Sequence, residues 1–210
     1  MIKTSQLIVT AILSLIVLCP TVSHSGTTIT VSGVQYNLET ITSTGTSTWV
    51  APSGVSSIEY LIVGGGGGGN GGGGGVLTGT YSITAGSSYS INVGGGAAGG
   101  DRSGMNPNGT ASNGQNSTAF GQTALGGGAF GAPWFSPLGA VGSSGGGGSY
   151  DNTSGGGSGT AGQGYSGGRS NATSYGGGGG GGGAGQTGGN ATNQSATVGR
   201  GGEGAMVVMA

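Results

Sequence analysis

The side chains able to do acid–base or nucleophilic chemistry are few in this sequence and poorly placed for it. The acids are Glu39, Glu59, Asp101, Asp151 and Glu203. Asp101 and Asp151 could supply the two carboxylates of a glycoside hydrolase, which need a fixed separation and a supporting environment. The sole cysteine (Cys19), histidine (His24) and lysine (Lys3) all fall within the first 25 residues. Beyond them no thiol, imidazole or amine is left to act as base or nucleophile, so the expectation is that the chain is not an enzyme and needs no cofactor. Asp101, or Asp151 with Asn152, offers oxygen ligands for calcium. No EF-hand or nonapeptide spacing surrounds them, and no metal site is predicted. The glycine runs lack the Gly-Lys-Ser/Thr that completes a phosphate loop.

Aromatic residues offer a different chemistry, that of contact. "AFGAPWFSPLGAV" (Ala129–Val141) sets Phe130, Trp134, Phe135 and Leu138 around Pro133 and Pro137. Rigid aromatic clusters of this kind bury large areas at little entropic cost and suit a recognition loop, although they also suit a small core capping a larger scaffold. Tyr150, Tyr165 and Tyr175 follow within glycine-rich stretches and could stack on sugars or cover the ends of extended segments. The predicted ligand-binding residues are therefore Phe130, Trp134, Phe135, Tyr150, Tyr165 and Tyr175. Asn-X-Ser/Thr sequons stand at Asn108, Asn116, Asn152, Asn171, Asn190 and Asn193. Chance accounts for most of them in a chain so rich in these residues.

What positions these side chains must be built largely from glycine, which supplies 59 of 210 residues. Charged residues are 4% and the net charge is −1. The charge repulsion that swells many disordered chains is thus absent, and the three arginines form no basic patch for nucleic acid. Residues 1–25 read as a signal peptide: Lys3, an apolar core from Leu7 to Leu18, and small residues at Ser23 and Ser25 before cleavage at Gly26. The core is too short to span a bilayer comfortably, so no stable membrane span is expected after cleavage. Residues 26–210 read as a single glycine-rich domain. Its β-rich part covers about 26–93 plus a closing strand at 205–210, and its glycine and loop part covers about 64–75 and 94–204.

Within the β-rich part, "TTITV" (Thr27–Val31) and "SYSINV" (Ser88–Val93) alternate as strands with one buried face do. "SIEYLIV" (Ser57–Val63) is apolar on both faces and reads as a central strand covered on both sides. "APSG" and "TAGSS" are turn chemistry, and the second is expected to join "TGTYSI" to "SYSINV" as a hairpin. The terminal "EGAMVVMA" needs a strand partner, expected in the sheet of Ile58 to Val63. Glycine can itself form structure: an extended helix of three residues per turn points its peptide groups outward, where side-by-side neighbours can bond to them. Drawn out as one such rod, "GGGGGGNGGGGG" (Gly64–Gly75) would span about 37 Å, and "YGGGGGGGGAG" (Tyr175–Gly185) a similar length.

"TWVAPSGVSSIEYLIVGGGGGG" resembles the opening of the glycine-rich domain of phage tail-fibre tips and bacterial surface proteins. "YSITAGSSYSINVGGGAAGG", "NSTAFGQTALGGGAFG" and "GRGGEGAMVVMA" are similar to its later blocks, in the same order. The resemblance implies a mainly β fold with polyglycine II helices. A small β-sandwich-like sheet would cap a bundle of glycine-rich extended helices, with little or no α-helix. It further implies a non-enzymatic adhesion module that touches a surface glycan or an outer-membrane protein through loops. The signal peptide departs from the phage pattern and favours a secreted or cell-surface protein. A matrix or fibre subunit is the alternative, since the charges that guard sheet edges are scarce. Ice binding ranks below both, because regular Gly-X-X spacing is missing.

Overall fold

A computed structural model of the chain describes residues 26–31, 33–99, 111–132, 138–149, 154–171, 177–192 and 202. The proposed signal peptide and the closing segment 205–210 lie outside them. The described part is mainly β-sheet, and no helix occurs among its residues.

Two strands, β1 (Gly26–Val31) and β2 (Val34–Glu39), pair antiparallel with Val31 opposite Val34. Gly33 completes the turn with φ 83°, a backbone state that glycine adopts without strain. β1 lies where the alternation of Thr27–Val31 places a strand, but its described side chains have no buried face. Thr27 to Thr30 are all exposed, as is Leu38. A residue of the next element reaches this hairpin: the Trp49 indole Nε1 donates to the Glu39 carboxylate.

The remaining strands make two sheets. β3 (Gly45–Val50), β6 (Ser88–Val93), β7 (Ser117–Ala119) and β8 (Gln122–Ala124) form one in the order β3-β6-β7-β8. β4 (Ser57–Val63) and β5 (Val76–Ser82) form the other. The turn at Thr84–Ser87 is where the sequence places it, closed by Ser87 N–H donating to Thr84 O at 3.0 Å. The hairpin expected across it does not form, because β5 pairs with β4 and β6 with β3. Ala51 at the end of β3 decides this. Its N–H donates to Ser87 O and its carbonyl accepts from Gly86 N–H, each at 2.9 Å, so the turn is clamped to β3.

The two sheets meet across an aromatic cluster. Trp49, Ala51 and Ile83 form one buried group, and Ile62, Ala119 and Ala124 another; Ile91 and Phe120 pack against both. Phe120 sits in the two-residue turn between β7 and β8 at φ 54°, the one non-glycine residue with positive φ among those described. Its ring lies 5.1 Å from that of Tyr81, 5.8 Å from Tyr89 and 6.0 Å from both Tyr60 and Trp49. β4 is covered on one face only. Ile62 is buried, while Leu61 and Val63 on the opposite face are 46% and 49% exposed, which corrects the reading of a strand buried on both sides.

The glycine segments extend from the ends of these strands. The run after β4 is not one long rod. It turns near Gly69 (φ 68°) and doubles back, with Gly64 N–H donating to Gly75 O and Gly67 N–H to Gly72 O, both at 2.9 Å. Gly65 and Gly68 donate instead to Gln115 and Ser112. Groups three residues apart thus reach the same neighbour, whereas a strand with neighbours on both sides repeats every two. The same period recurs: Gly72 and Gly75 donate to Gly128 and Leu125, Gly127 and Phe130 to Gly65 and Gly68, and Tyr165 and Gly168 to Gly183 and Gly180. Glycine is needed where these segments touch. A methyl built on Gly67 would overlap the Gly128 carbonyl, whereas one on Gly66 would meet nothing nearer than 4.0 Å.

Side-chain amides of the neighbouring segment 111–116, whose Gly114 N–H donates to Gly127 O, add to these backbone bonds. Asn113 Oδ1 accepts from Ala129 N–H at 2.8 Å, and Asn116 Oδ1 from Gly126 N–H at 2.9 Å. Donors and acceptors are both spaced by three residues, so the two asparagines follow the same period as the backbone bonds.

Candidate functional site

Among the described residues the carboxylates are only Glu39 and Glu59. Glu39 accepts from Trp49, Glu59 is exposed on β4, and Asp101, Asp151 and Glu203 lie outside the described residues. Among the described residues no three of His, Cys, Asp and Glu gather to hold a metal ion. Two sequon asparagines serve the scaffold: Asn116 as above, and Asn190, whose Oδ1 accepts from Arg169 N–H at 2.7 Å.

The aromatic residues divide. Trp134, Phe135, Tyr150 and Tyr175 lie outside the described residues. Phe130 is half-buried, its backbone N–H donating to Gly68 O at 3.1 Å. Its ring fills the space beside Gly178, whose added methyl would stand 3.1 Å from the ring. Directly after the Pro133–Pro137 segment, Leu138 and Val141 are 61% and 62% exposed.

Tyr165 is 50% exposed and stands on an open cleft of about 660 Å³. Its backbone is held on both sides, with N–H donating to Gly183 O at 3.0 Å and O accepting from Gly145 N–H at 2.9 Å. Tyr165 is thus fixed by its backbone while half of its surface stays open. The lining also takes Val76 and Thr78 from β5, and Ser166 and Thr187 add hydroxyls. The turn that carries Tyr165 is fixed by Gln163. Its Oε1 accepts from Leu125 N–H at 2.8 Å and its Nε2 donates to Thr123 O at 3.1 Å, so one amide bridges the turn to the end of β8. Thr160 closes the same turn, its carbonyl accepting from Gln163 N–H at 3.0 Å and Gly164 N–H at 3.1 Å.

Tyr165 stands out in the sequence, but its companions do not. Val76 and Thr78 on β5 and Thr187 lie far from Tyr165 in the chain and share no motif with it. Gly162, at φ 79° in "TAGQGYS", was the one local sign of a sharp turn before the tyrosine.

Residues 42–209 match the family model of the glycine-rich domain. The chain belongs to that family. No curated protein and no solved structure matches it. The β1–β2 hairpin precedes the part of the chain that the glycine-rich domain accounts for, whereas the other two sheets and the Tyr165 cleft fall inside it. Among the described residues, no helix of this glycine-rich domain is long and apolar enough to cross a membrane.

Proposed function

We propose that this glycine-rich domain is a secreted or surface-displayed recognition module of the tail-tip adhesin kind, without enzymatic activity. Its glycine segments would be polyglycine II helices packed as a bundle, a reading supported by the three-residue period of their hydrogen-bond partners. Such a bundle leaves almost no side chains on its inner segments, so specific contact falls to loops and edges. The observation that carries the functional reading is the exposure of Leu138 and Val141 beside the Trp134–Phe135 segment. Large apolar groups held at the surface, close in sequence to two aromatics, suit a contact patch for a surface glycan or outer-membrane protein.

Trp134→Ala with Phe135→Ala is expected to abolish retention of the full chain on target cells in a pull-down. Each truncation of a contact aromatic costs about 2 kcal/mol or more in binding. The melting temperature should stay within a few degrees. A sharp fall in melting temperature, with binding per folded molecule unchanged, would instead make the segment a cap on the bundle.

The exposed β1–β2 hairpin favours a second reading, a matrix or fibre subunit joined through strand edges. Sedimentation separates the two: a discrete species supports recognition, and concentration-dependent polymers support the matrix role.

A further inference from the structure

We propose that the cleft beside Tyr165 is a binding site for a neutral, hexose-containing glycan. This rests on the recognition role above but uses a different part of the molecule from the Trp134 segment. A pyranose ring has an apolar face of C–H bonds and a rim of hydroxyls. It therefore fits a site that offers one aromatic face and several uncharged hydrogen-bonding groups. The lining residues include that pair: half-exposed Tyr165 with Val76 for the apolar face, and Thr78, Ser166 and Thr187 for the rim. Its volume of about 660 Å³ lies within the range of small-ligand sites.

Charge sets the class of sugar. None of the described residues lining the cleft is ionisable at neutral pH. An acidic or sulfated glycan would lose hydration there with no cation to compensate, which disfavours it against a neutral one. Rigidity supports the assignment as well. The Gln163 bridge to Leu125 and Thr123 and the paired backbone bonds of Tyr165 hold the walls before any ligand arrives, so little ordering is lost on binding. Gln163 is a positioning residue here, since both ends of its amide already serve the scaffold.

The test applies the full chain to a glycan array carrying neutral hexosyl and N-acetylhexosaminyl structures beside sialylated and sulfated ones. Neutral structures should be retained. Tyr165→Ala should weaken them about tenfold or more, and Tyr165→Phe, which keeps the ring face, should stay within a few-fold of the parent. Thr187→Ala should weaken binding by a smaller factor. Equal melting temperatures for the three variants would show that the cleft survives substitution. Retention of anionic structures alone, of no neutral structure, or of neutral structures equally by Tyr165→Ala overturns the proposal. Cell pull-down by the same variants keeps the two proposals apart. Attachment that persists in Tyr165→Ala and is lost in the Trp134, Phe135 double variant leaves the recognition role standing without the cleft.

Discussion

Gly67→Ala is expected to lower the melting temperature by about 6–12 °C, and Gly66→Ala to leave it in place or raise it slightly. The two substitutions add the same methyl at neighbouring positions. At Gly67 the methyl would overlap the carbonyl of Gly128, and that oxygen cannot retreat freely because it accepts from Gly72 N–H at 2.8 Å. Relief requires either parting two segments or breaking that bond, at about 3 kcal/mol or more. At Gly66 the nearest atom is 4.0 Å away and φ is not in the left-handed region, so the methyl costs little and restricts the unfolded chain. Differential scanning calorimetry decides the matter. Equal melting temperatures would return the whole glycine run to the status of a tether. Hydrogen exchange gives the same contrast by another route: the amides of Gly64, Gly65, Gly67 and Gly68, all bonded to neighbouring segments, should exchange far more slowly than in a random coil.

The second large effect is at Phe120, where two terms oppose each other. Its ring touches aromatics from β3, β4, β5 and β6, so truncation to alanine should cost about 3–5 kcal/mol. Its backbone, at φ 54°, costs about 1 kcal/mol for any residue with a Cβ. Glycine escapes that second cost. Phe120→Gly is therefore expected to be more stable than Phe120→Ala by about 1 kcal/mol, the reverse of the usual order of the two residues. Urea titration of both variants reads the difference directly. If alanine proves the more stable, the turn does not hold Phe120 in the left-handed region in solution.

The strands were legible wherever alternation or β-branched residues marked them, as in Thr27–Val31, Ser57–Val63 and Ser88–Val93. Their partners were not. Adjacency in sequence favours β5 with β6, yet Ala51 captures the intervening turn, and nothing in "TAGSS" announces a clamp more than thirty residues upstream. The β7–β8 hairpin was hidden for a related reason. Its turn is Phe120–Gly121 rather than the Asn-Gly that marks such turns, because the first position is set by the aromatic cluster and not by local preference. Composition pointed to glycine as structure but could not give the fold-back at Gly69, since a run of identical residues carries no signal for where it bends. For the candidate site, an isolated tyrosine in a glycine-rich stretch was visible. The β5 residues that line the same cleft are distant in sequence, and only the chain's course through space brings them there.

The few large side chains in the interior have a thermal consequence. Of the buried hydrophobic residues described, only Trp49, Ile62 and Ile83 are large, and the rest are alanines; serines such as Ser143 and Ser144 are buried beside bare peptide groups. Unfolding then wets much peptide surface and little hydrocarbon. Hydration of polar surface lowers the heat capacity while that of apolar surface raises it, so the increment on unfolding should fall well below about 12–15 cal/mol/K per residue. A small increment flattens the curve of stability against temperature and pushes cold denaturation far from the working range. A fold held by peptide hydrogen bonds keeps its strength on cooling, where one held by oil-like contacts would lose it.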